Sequence, residues 1–372
     1  MENYLFPFIA LITSAIVTAA VMPYLLKTCY KYGLYDQPNG RKVHKHPIPR
    51  LGGIVFVPAM LTGVLIAIAI MHFNSIETPN TLHFSAFFLG SGALLIYAVG
   101  IIDDLIGCTA KLKFIVQTFI AVAFPVCGLY IDNLYGFCGI YQLPLWVSYP
   151  LTIFLTLLII NAINLIDGID GLASTLSLIA LVSYTVLFKQ HNMLMFTLFA
   201  AGLSGALLAF LPFNLWGSTE KHRKTFMGDS GSLLLGIVLA YLTMKYAMDK
   251  SVSMPHRPDA LLMAYTVVCL PCLDLSRVAL CRLLRGQGIT VPDKTHIHHK
   301  LMCAGFTPHS VLMILICIQS GFILFNIASF HYGLDTHWIL LINILFYSAL
   351  NIYLPTGELP KPSDKKEAEA RK

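Results

Sequence analysis

The chain has 372 residues, of which 56% are hydrophobic and only 12% charged, with a mean hydropathy of +0.71 and a formal net charge of +6. Water-soluble domains carry about 25% charged residues, so soluble enzymes and nucleic-acid-binding proteins are excluded, and the bilayer rather than a domain boundary organises the chain. In such a protein the informative quantity is where the charges sit, not their sum.

Apolar stretches long enough to cross the hydrocarbon core are predicted at 6–26, 51–71, 84–102, 113–130, 149–163, 172–188, 193–213, 231–248, 258–281, 311–328 and 338–353. These make eleven spans, or ten if one of the closely spaced pairs around Gly168 and His191 is a single element. Runs such as Leu155 to Ile160 are continuously apolar instead of alternating with period two, which predicts helices and not transmembrane strands. The expected fold is an all-α, polytopic membrane protein. The first run follows Glu2 with no preceding cation and is longer than a signal-peptide core, so it reads as an uncleaved helix. Residues 1–355 are expected to form one integral membrane domain. Residues 356–372, rich in Pro and Lys, are expected to be a disordered tail near anionic headgroups. The nine cysteines, mostly within spans, read as buried thiols, including the pair Cys269 and Cys272.

The cations divide unequally between the two sides. Connections after the odd-numbered spans, with the tail, hold 20 Lys and Arg, whereas the other side holds Lys189, Lys250 and Arg257. The positive-inside rule therefore puts the odd-numbered connections and the C-terminus in the cytoplasm and the N-terminus outside, which agrees with an odd span count.

The chemistry lies on that same cytoplasmic side. The first connection, Gly33 to Gly53, combines turn-setting prolines with basic residues and ends in Pro49-Arg-Leu-Gly-Gly53, which brings Arg50 to a helix start suited to an anion. Its plain alternative is a loop that only sets topology. Asp103-Asp104 ends an apolar run and precedes Lys111 and Lys113. A carboxylate inside the bilayer costs roughly 2.5–3.5 kcal/mol on insertion scales, so a cation partner is expected, or else a solvated helix cap. In Asn161-Ala-Ile-Asn-Leu-Ile-Asp-Gly-Ile-Asp-Gly-Leu172, a continued helix places Asn161, Asn164 and Asp167 on one polar edge, and the Asp-Gly-x-Asp-Gly turn offers oxygens to a hard cation or to a nucleoside. No Lys or Arg lies in that connection to neutralise it.

Thr225-Phe-Met-Gly-Asp-Ser-Gly-Ser232 offers close backbone approach and free amides at a helix start, with Asp229 as a metal ligand; an ordinary N-cap is the alternative. His296-Ile-His-His-Lys300, preceded by Asp293 and Lys294, could serve zinc or phosphate, and cations on both sides favour phosphate. Together, carboxylates and Asn for Mg²⁺ with Arg, Lys, His and amides for phosphates are the requirements of phosphoryl transfer.

These motifs, with Asp36-x-Pro and Arg41-Lys42-x-His44, occur in the order of the polyprenyl-phosphate N-acetylhexosamine-1-phosphate transferase superfamily (glycosyltransferase 4 family), which the chain resembles over roughly residues 1–350. The Asp-Gly-Ile-Asp-Gly-Leu and His-Ile-His-His wording is similar to bacterial enzymes that start O-antigen, enterobacterial common antigen or teichoic acid synthesis. The peptidoglycan relative that carries a muramoyl-pentapeptide is the nearer alternative. The resemblance implies a multi-pass protein of the bacterial cytoplasmic (inner) membrane that transfers GlcNAc-1-phosphate from UDP-GlcNAc, a UDP-N-acetylhexosamine, to undecaprenyl phosphate. UMP is released, with Mg²⁺ as cofactor and Mn²⁺ as its substitute, and the family is commonly dimeric. Carried over by position, Asp103 and Asp104 match the essential pair, Asp229 and Asn164 the metal site, and Phe226 an aromatic that stacks on uracil. Asp167 and Asp170, with Asn161, match the nucleotide pocket, and His296, His298 and His299 lie near diphosphate and sugar. Arg50, Lys111 and Lys113 are candidates for the lipid phosphate. The expected mechanism is direct attack of the lipid phosphate on the β-phosphorus, deprotonated or aligned by Asp103 with Asp104 orienting; the resemblance also leaves open a phospho-aspartate intermediate.

Two other classes compete. A transporter predicts charges near mid-bilayer and inverted repeats, whereas the charges here cluster at one interface. An intramembrane aspartyl protease could use two aspartates but leaves the His cluster and the Asn-x-x-Asn edge without purpose.

Overall fold

The computed structural model describes residues 4–35, 47–74, 84–249, 256–288 and 295–355. Asp36, the Arg41-Lys42-x-His44 string, Lys250, Asp293, Lys294 and the tail 356–372 fall outside the described residues.

The apolar runs fold as helices. Helix α1 is Leu5–Tyr32, about 42 Å at 1.5 Å per residue, and stops at Gly33 in the left-handed conformation (φ 69°). A short 3₁₀ turn, Gly52–Val55, leads into α2, Phe56–Phe73, followed by α3 Phe84–Ile106, α4 Ala110–Val126 and α5 Leu145–Ile166. Next come α6 Leu172–Gln190, α7 Leu194–Leu215, α8 Gly228–Ala247, α9 Ala260–Thr266 and α10 Cys269–Leu284. The last are α11 Ile297–Cys303, α12 Pro308–His331 and α13 Thr336–Tyr353. Side-chain caps fix two starts: Thr109 accepts the amide of Leu112 before α4, and Thr307 that of Ser310 before α12, where Pro308 takes the first turn that needs no donor.

Among the described residues eight helices, α1, α2 with its 3₁₀ turn, α5, α6, α7, α8, α12 and α13, are long and apolar enough to cross a membrane. The chain is thus a multi-pass membrane protein. The stretch expected as one span over 258–281 is broken into α9 and α10 around Val267 and Val268. The side chain of Gln319 on α12 takes up the freed backbone groups: Nε2 donates to the Thr266 and Val267 carbonyls (2.9 and 3.3 Å), and Oε1 accepts the Leu270 amide (3.1 Å). Asn326 then donates to Thr266 Oγ1 and accepts from Asn343, each at 2.8–2.9 Å. A broken helix in lipid requires such internal satisfaction.

A second departure from a purely helical chain is an antiparallel hairpin between α4 and α5, β1 Asn133–Phe137 and β2 Ile140–Gln142, pairing Asn133 with Gln142 and Phe137 with Ile140. It is tied to the end of α8 by Tyr135 Oη donating to the Ala247 carbonyl (3.0 Å) and by Asn133 Nδ2 donating to Asp249 Oδ2 (2.8 Å).

Helix α8 is the axis. Every residue from Ser230 to Ala247 is buried, enclosed by α3, α5, α6 and α9, while α1 packs on α2 and α7. Burial of α8 fixes its first turn in space, and that turn carries Asp229.

Candidate active site

Two segments far apart in sequence interlock to build the floor. The Phe226 amide donates to the Pro49 carbonyl (2.8 Å), Gly52 N to the Phe226 carbonyl (3.1 Å) and Gly53 N to the Met227 carbonyl (2.8 Å). The glycines are required by contact. A Cβ on Gly53 would lie 2.4 Å from Gly231, and one on Gly228, whose φ is +73°, would lie 2.0 Å from the Arg50 carbonyl and 2.4 Å from Asp104 Oδ2. Gly100, one turn before Asp104, lets α3 touch Ser230 in the same way.

On that floor the two adjacent aspartates separate in role. Asp104 Oδ1 accepts the Asp229 amide and Oδ2 the Ser230 amide, both at 2.9 Å, so it caps α8. The helix-start amides expected to be free for phosphate are therefore already committed. Asp103 points the other way. It accepts the Cys108 amide and pairs with Lys113 Nζ at 3.1 Å, and the same ammonium lies 2.6 Å from Asp229 Oδ2. Asn164 Nδ2 is 3.4 Å from Asp229 Oδ1 and donates to Ser232 Oγ at 2.8 Å. Asp103, Lys113, Asp229 and Asn164 thus form one cluster drawn from α3, α4, α8 and α5. Lys111 is exposed and stays outside it.

The polar edge expected of α5 is only partly realised. Asn161 turns away, donating to Gln117 Oε1 of α4 (2.9 Å) and to the Leu157 carbonyl (2.8 Å), so it is a helix-packing residue and not part of the cluster. Helix α5 ends at Ile166 and leaves Asp167 at its cap. Enclosure by the surrounding atoms pushes the Asp167 carboxyl up to about 7, reinforced by the charges of Asp229, Asp170 and Asp104 and opposed by Arg50. Solvent reaches the exposed surface of this residue and tempers the enclosure, while the crowding of like charge persists. Asp170 finds its cation in another segment: Lys224 Nζ lies 2.6 Å away. Asn214, at the end of α7, accepts the Gly171 amide (2.6 Å) and donates to the Thr225 carbonyl (2.9 Å), clamping the Asp-Gly-Ile-Asp-Gly turn to the strap that carries half-buried Phe226.

The histidines sit at the start of α11, His296 at its N-cap and His298 and His299 in its first turn. His296 Nδ1 is 2.7 Å from Asp274 Oδ2, and Asp274 Oδ1 accepts the Ile297 amide (3.0 Å), Tyr347 Oη (2.7 Å) and Arg277 Nη2 (3.2 Å). His298 stacks on His296 (centroids 5.8 Å apart, 14° between planes), lies 4.2 Å from His299, and abuts Gly168, where a Cβ would meet its Nε2 at 2.1 Å. The cluster therefore meets the Asp-Gly turn directly. His298 is 1% exposed, and neither ring nitrogen has a protein partner among the described residues. Burial, then the neighbouring His299, pushes its pKa down to about 3 against the pull of Asp274, so it is neutral and acts as a hydrogen-bonding group rather than a cation.

Asp274, Lys224, Asn214, Gln117 and Tyr347 do not stand out in the sequence motifs. Asp274 had a signal: a carboxylate inside an apolar run, the criterion that singles out Asp103 and Asp104.

The donor set suits a hard cation. Asp229, Asn164 and Asp167 offer oxygens, and Mg²⁺ is held through one or two carboxylates plus substrate phosphates rather than by an all-protein cage. Among the described residues no group of three or more His, Cys, Asp or Glu is arranged around a metal position. Zinc at the histidines fits poorly, because His296 is already engaged by Asp274.

Residues 86–247 match the model of glycosyl transferase family 4. The chain is 31% identical to a probable undecaprenyl-phosphate N-acetylglucosaminyl 1-phosphate transferase of Bacillus subtilis, covering 89% of this chain and 86% of that protein. It is 28% identical to the undecaprenyl-phosphate alpha-N-acetylglucosaminyl 1-phosphate transferase of Yersinia pestis (88% and 85% covered). With the Escherichia coli K12 protein of the same name the identity is 26% (92% and 89% covered).

Proposed function

The chain belongs to glycosyl transferase family 4, and we propose that it transfers N-acetylhexosamine-1-phosphate, GlcNAc-1-phosphate from UDP-GlcNAc, to undecaprenyl phosphate. UMP leaves and a lipid-linked diphosphate sugar forms. The observation that carries this reading is the cluster Asp103, Lys113, Asp229 and Asn164, set at the first turn of the helix that is buried from Ser230 to Ala247, with the Asp229 charge acting on Asp167 of the Asp-Gly turn that His298 abuts. Phosphoryl transfer is mostly positioning and neutralisation of developing charge, and this site is built of groups that do both.

In the proposed step an oxygen of the lipid phosphate attacks the β-phosphorus, the bond from that phosphorus to the oxygen bridging the α-phosphate breaks, and UMP carries away the electron pair. Asp103 aligns the incoming phosphate, helped by Lys113, which balances Asp103 and Asp229 until substrates arrive. Asp104 acts one step removed, by fixing the turn that presents Asp229. Asp229, Asn164 and Asp167 would hold Mg²⁺, which supplies charge neutralisation at the diphosphate. Phe226 and Asp167 offer the nucleotide a stacking face and an acceptor, with Asp170 and Lys224 bracing the turn; His298, neutral and unpartnered, and His299 offer hydrogen bonds to diphosphate or sugar. Arg50, whose charge acts on the Asp167 carboxyl, would serve the diphosphate or the lipid phosphate.

An apolar cavity of about 420 Å³ between α5, α9, α10 and α13 supports a polyprenyl acceptor, because it runs among Leu155, Leu261, Leu280 and Ile344 and reaches Arg277 and Tyr347 beside Asp274. The cation distribution supports eleven crossings, an outside N-terminus and a cytoplasmic site in the bacterial inner membrane, at the first membrane step of an envelope polysaccharide. The test is purified protein with UDP-GlcNAc, undecaprenyl phosphate and Mg²⁺. UMP is expected; none from any UDP-N-acetylhexosamine would overturn the reading.

A further inference from the structure

A second cavity of about 420 Å³ lies apart from the residues assigned to transfer, between the end of α1 and the loop that follows α7. Lys27, Lys221, His222 and Arg223 line it together with Tyr30 and Phe213. Lys27, Lys221 and Arg223 have no carboxylate within ion-pair distance among the described residues, the adjacent Glu220 included. The Tyr30 hydroxyl is buried there with no hydrogen-bond partner among those residues. His222 adopts a left-handed backbone (φ 53°), costly for a residue with a side chain, and its ring packs 4.1 Å from that of Tyr30. Three cations and a hydroxyl without partners among the described residues, with a strained residue beside them, give this cavity the character of an anion site.

Its place in the fold indicates which anion. The cavity sits at the end of a membrane-crossing helix, and Tyr24 (74% exposed) and Trp216 (72% exposed), close in sequence to its lining residues Pro23 and Phe213, are aromatics of the kind found at membrane interfaces. Phe213 and the helix face below it are apolar, and basic pockets between membrane helices suit anionic headgroups. Lys224 and Thr225, which follow the lining residue Arg223 in the chain, are buried. We propose that the cavity binds the phosphate headgroup of an anionic two-chain phospholipid. The bound headgroup ties the 217–223 loop to α1 and so steadies Lys224, which holds Asp170.

The test uses the full-length protein in detergent and native mass spectrometry to count retained dioleoyl-phosphatidylglycerol against dioleoyl-phosphatidylcholine, a readout independent of transferase activity. Wild type is expected to retain phosphatidylglycerol preferentially. K27Q/R223Q is expected to lose it by about five-fold per cation removed, and the charge-keeping R223K to hold it. Equal retention of the two lipids by wild type, a measurement that needs no variant, overturns the proposal. So do undiminished retention in K27Q/R223Q, displacement by millimolar inorganic phosphate, which marks a soluble-anion site, and preference for undecaprenyl phosphate, which marks a substrate-entry site.

Discussion

Asp104 on α3 holds the first turn of α8 by accepting two consecutive backbone amides, those of Asp229 and Ser230, at 2.9 Å each. Its neighbour Asp103 instead faces Lys113. The two aspartates should therefore fail differently. Asp104→Ala removes a cap of about 0.5–2 kcal/mol and should lower both thermal stability and activity. Asp103→Asn should remove activity by about 100-fold or more while leaving the melting temperature close to wild type. Identical stability losses in both variants would contradict this division.

Lys113 and Lys111 differ by one half-turn of helix, yet only Lys113 reaches the carboxylates. Lys113→Met should reduce kcat by roughly 100-fold, because Asp103 and Asp229 then face each other without a cation. Lys111→Met should stay within a few-fold of wild type. Steady-state rates of the two variants check this, and comparable losses would mean that Lys111 enters the site.

A raised folded-state pKa for Asp167 has a defined sign. The native state keeps its proton to higher pH than the unfolded chain, whose carboxyl titrates near 3.9. Stability contributed by the protonated form is present below that value and is lost as pH rises toward neutrality. In EDTA, wild type should thus lose thermal stability between about pH 4 and 7 more steeply than Asp167→Asn. Parallel stability curves would show that Asp167 titrates normally.

Asp274 touches no candidate substrate position but orients His296 and the start of α11. Asp274→Asn should reduce kcat at least about tenfold with a smaller change in the KM for UDP-GlcNAc, since His298 would lose the neighbour against which its ring stacks. An unchanged kcat would remove Asp274 from the positioning role.

Removing the metal tests the donor set. Chelation should abolish turnover, and Mg²⁺ should restore it in wild type but not in Asp229→Asn, where at least about 100-fold should remain lost. Substantial Mg²⁺-dependent activity in Asp229→Asn would move the metal away from Asp229.

Much of this architecture was legible because a bilayer demands long apolar runs, and carboxylates are rare enough within them to be conspicuous. Asp103, Asn164 and Asp229 could be read as partners of one site although they arise from different helices. What stayed hidden depended on contacts between distant positions. The break between α9 and α10 is stabilised by Gln319, about fifty residues further on. Asp170 looked unneutralised because Lys224 belongs to another segment. Asn161 has the right spacing for the polar edge, but Gln117 on α4 competes for its amide. The amides at the start of α8 looked available to a phosphate until Asp104 was seen to fill them.

The most direct measurement follows the label of UDP-GlcNAc carrying ³²P at its β-phosphate, with undecaprenyl phosphate and Mg²⁺. The expected result is label in the lipid product and an equal amount of unlabelled UMP. Label recovered in aqueous UDP would mean that the sugar alone is transferred, and would contradict attack at the β-phosphorus.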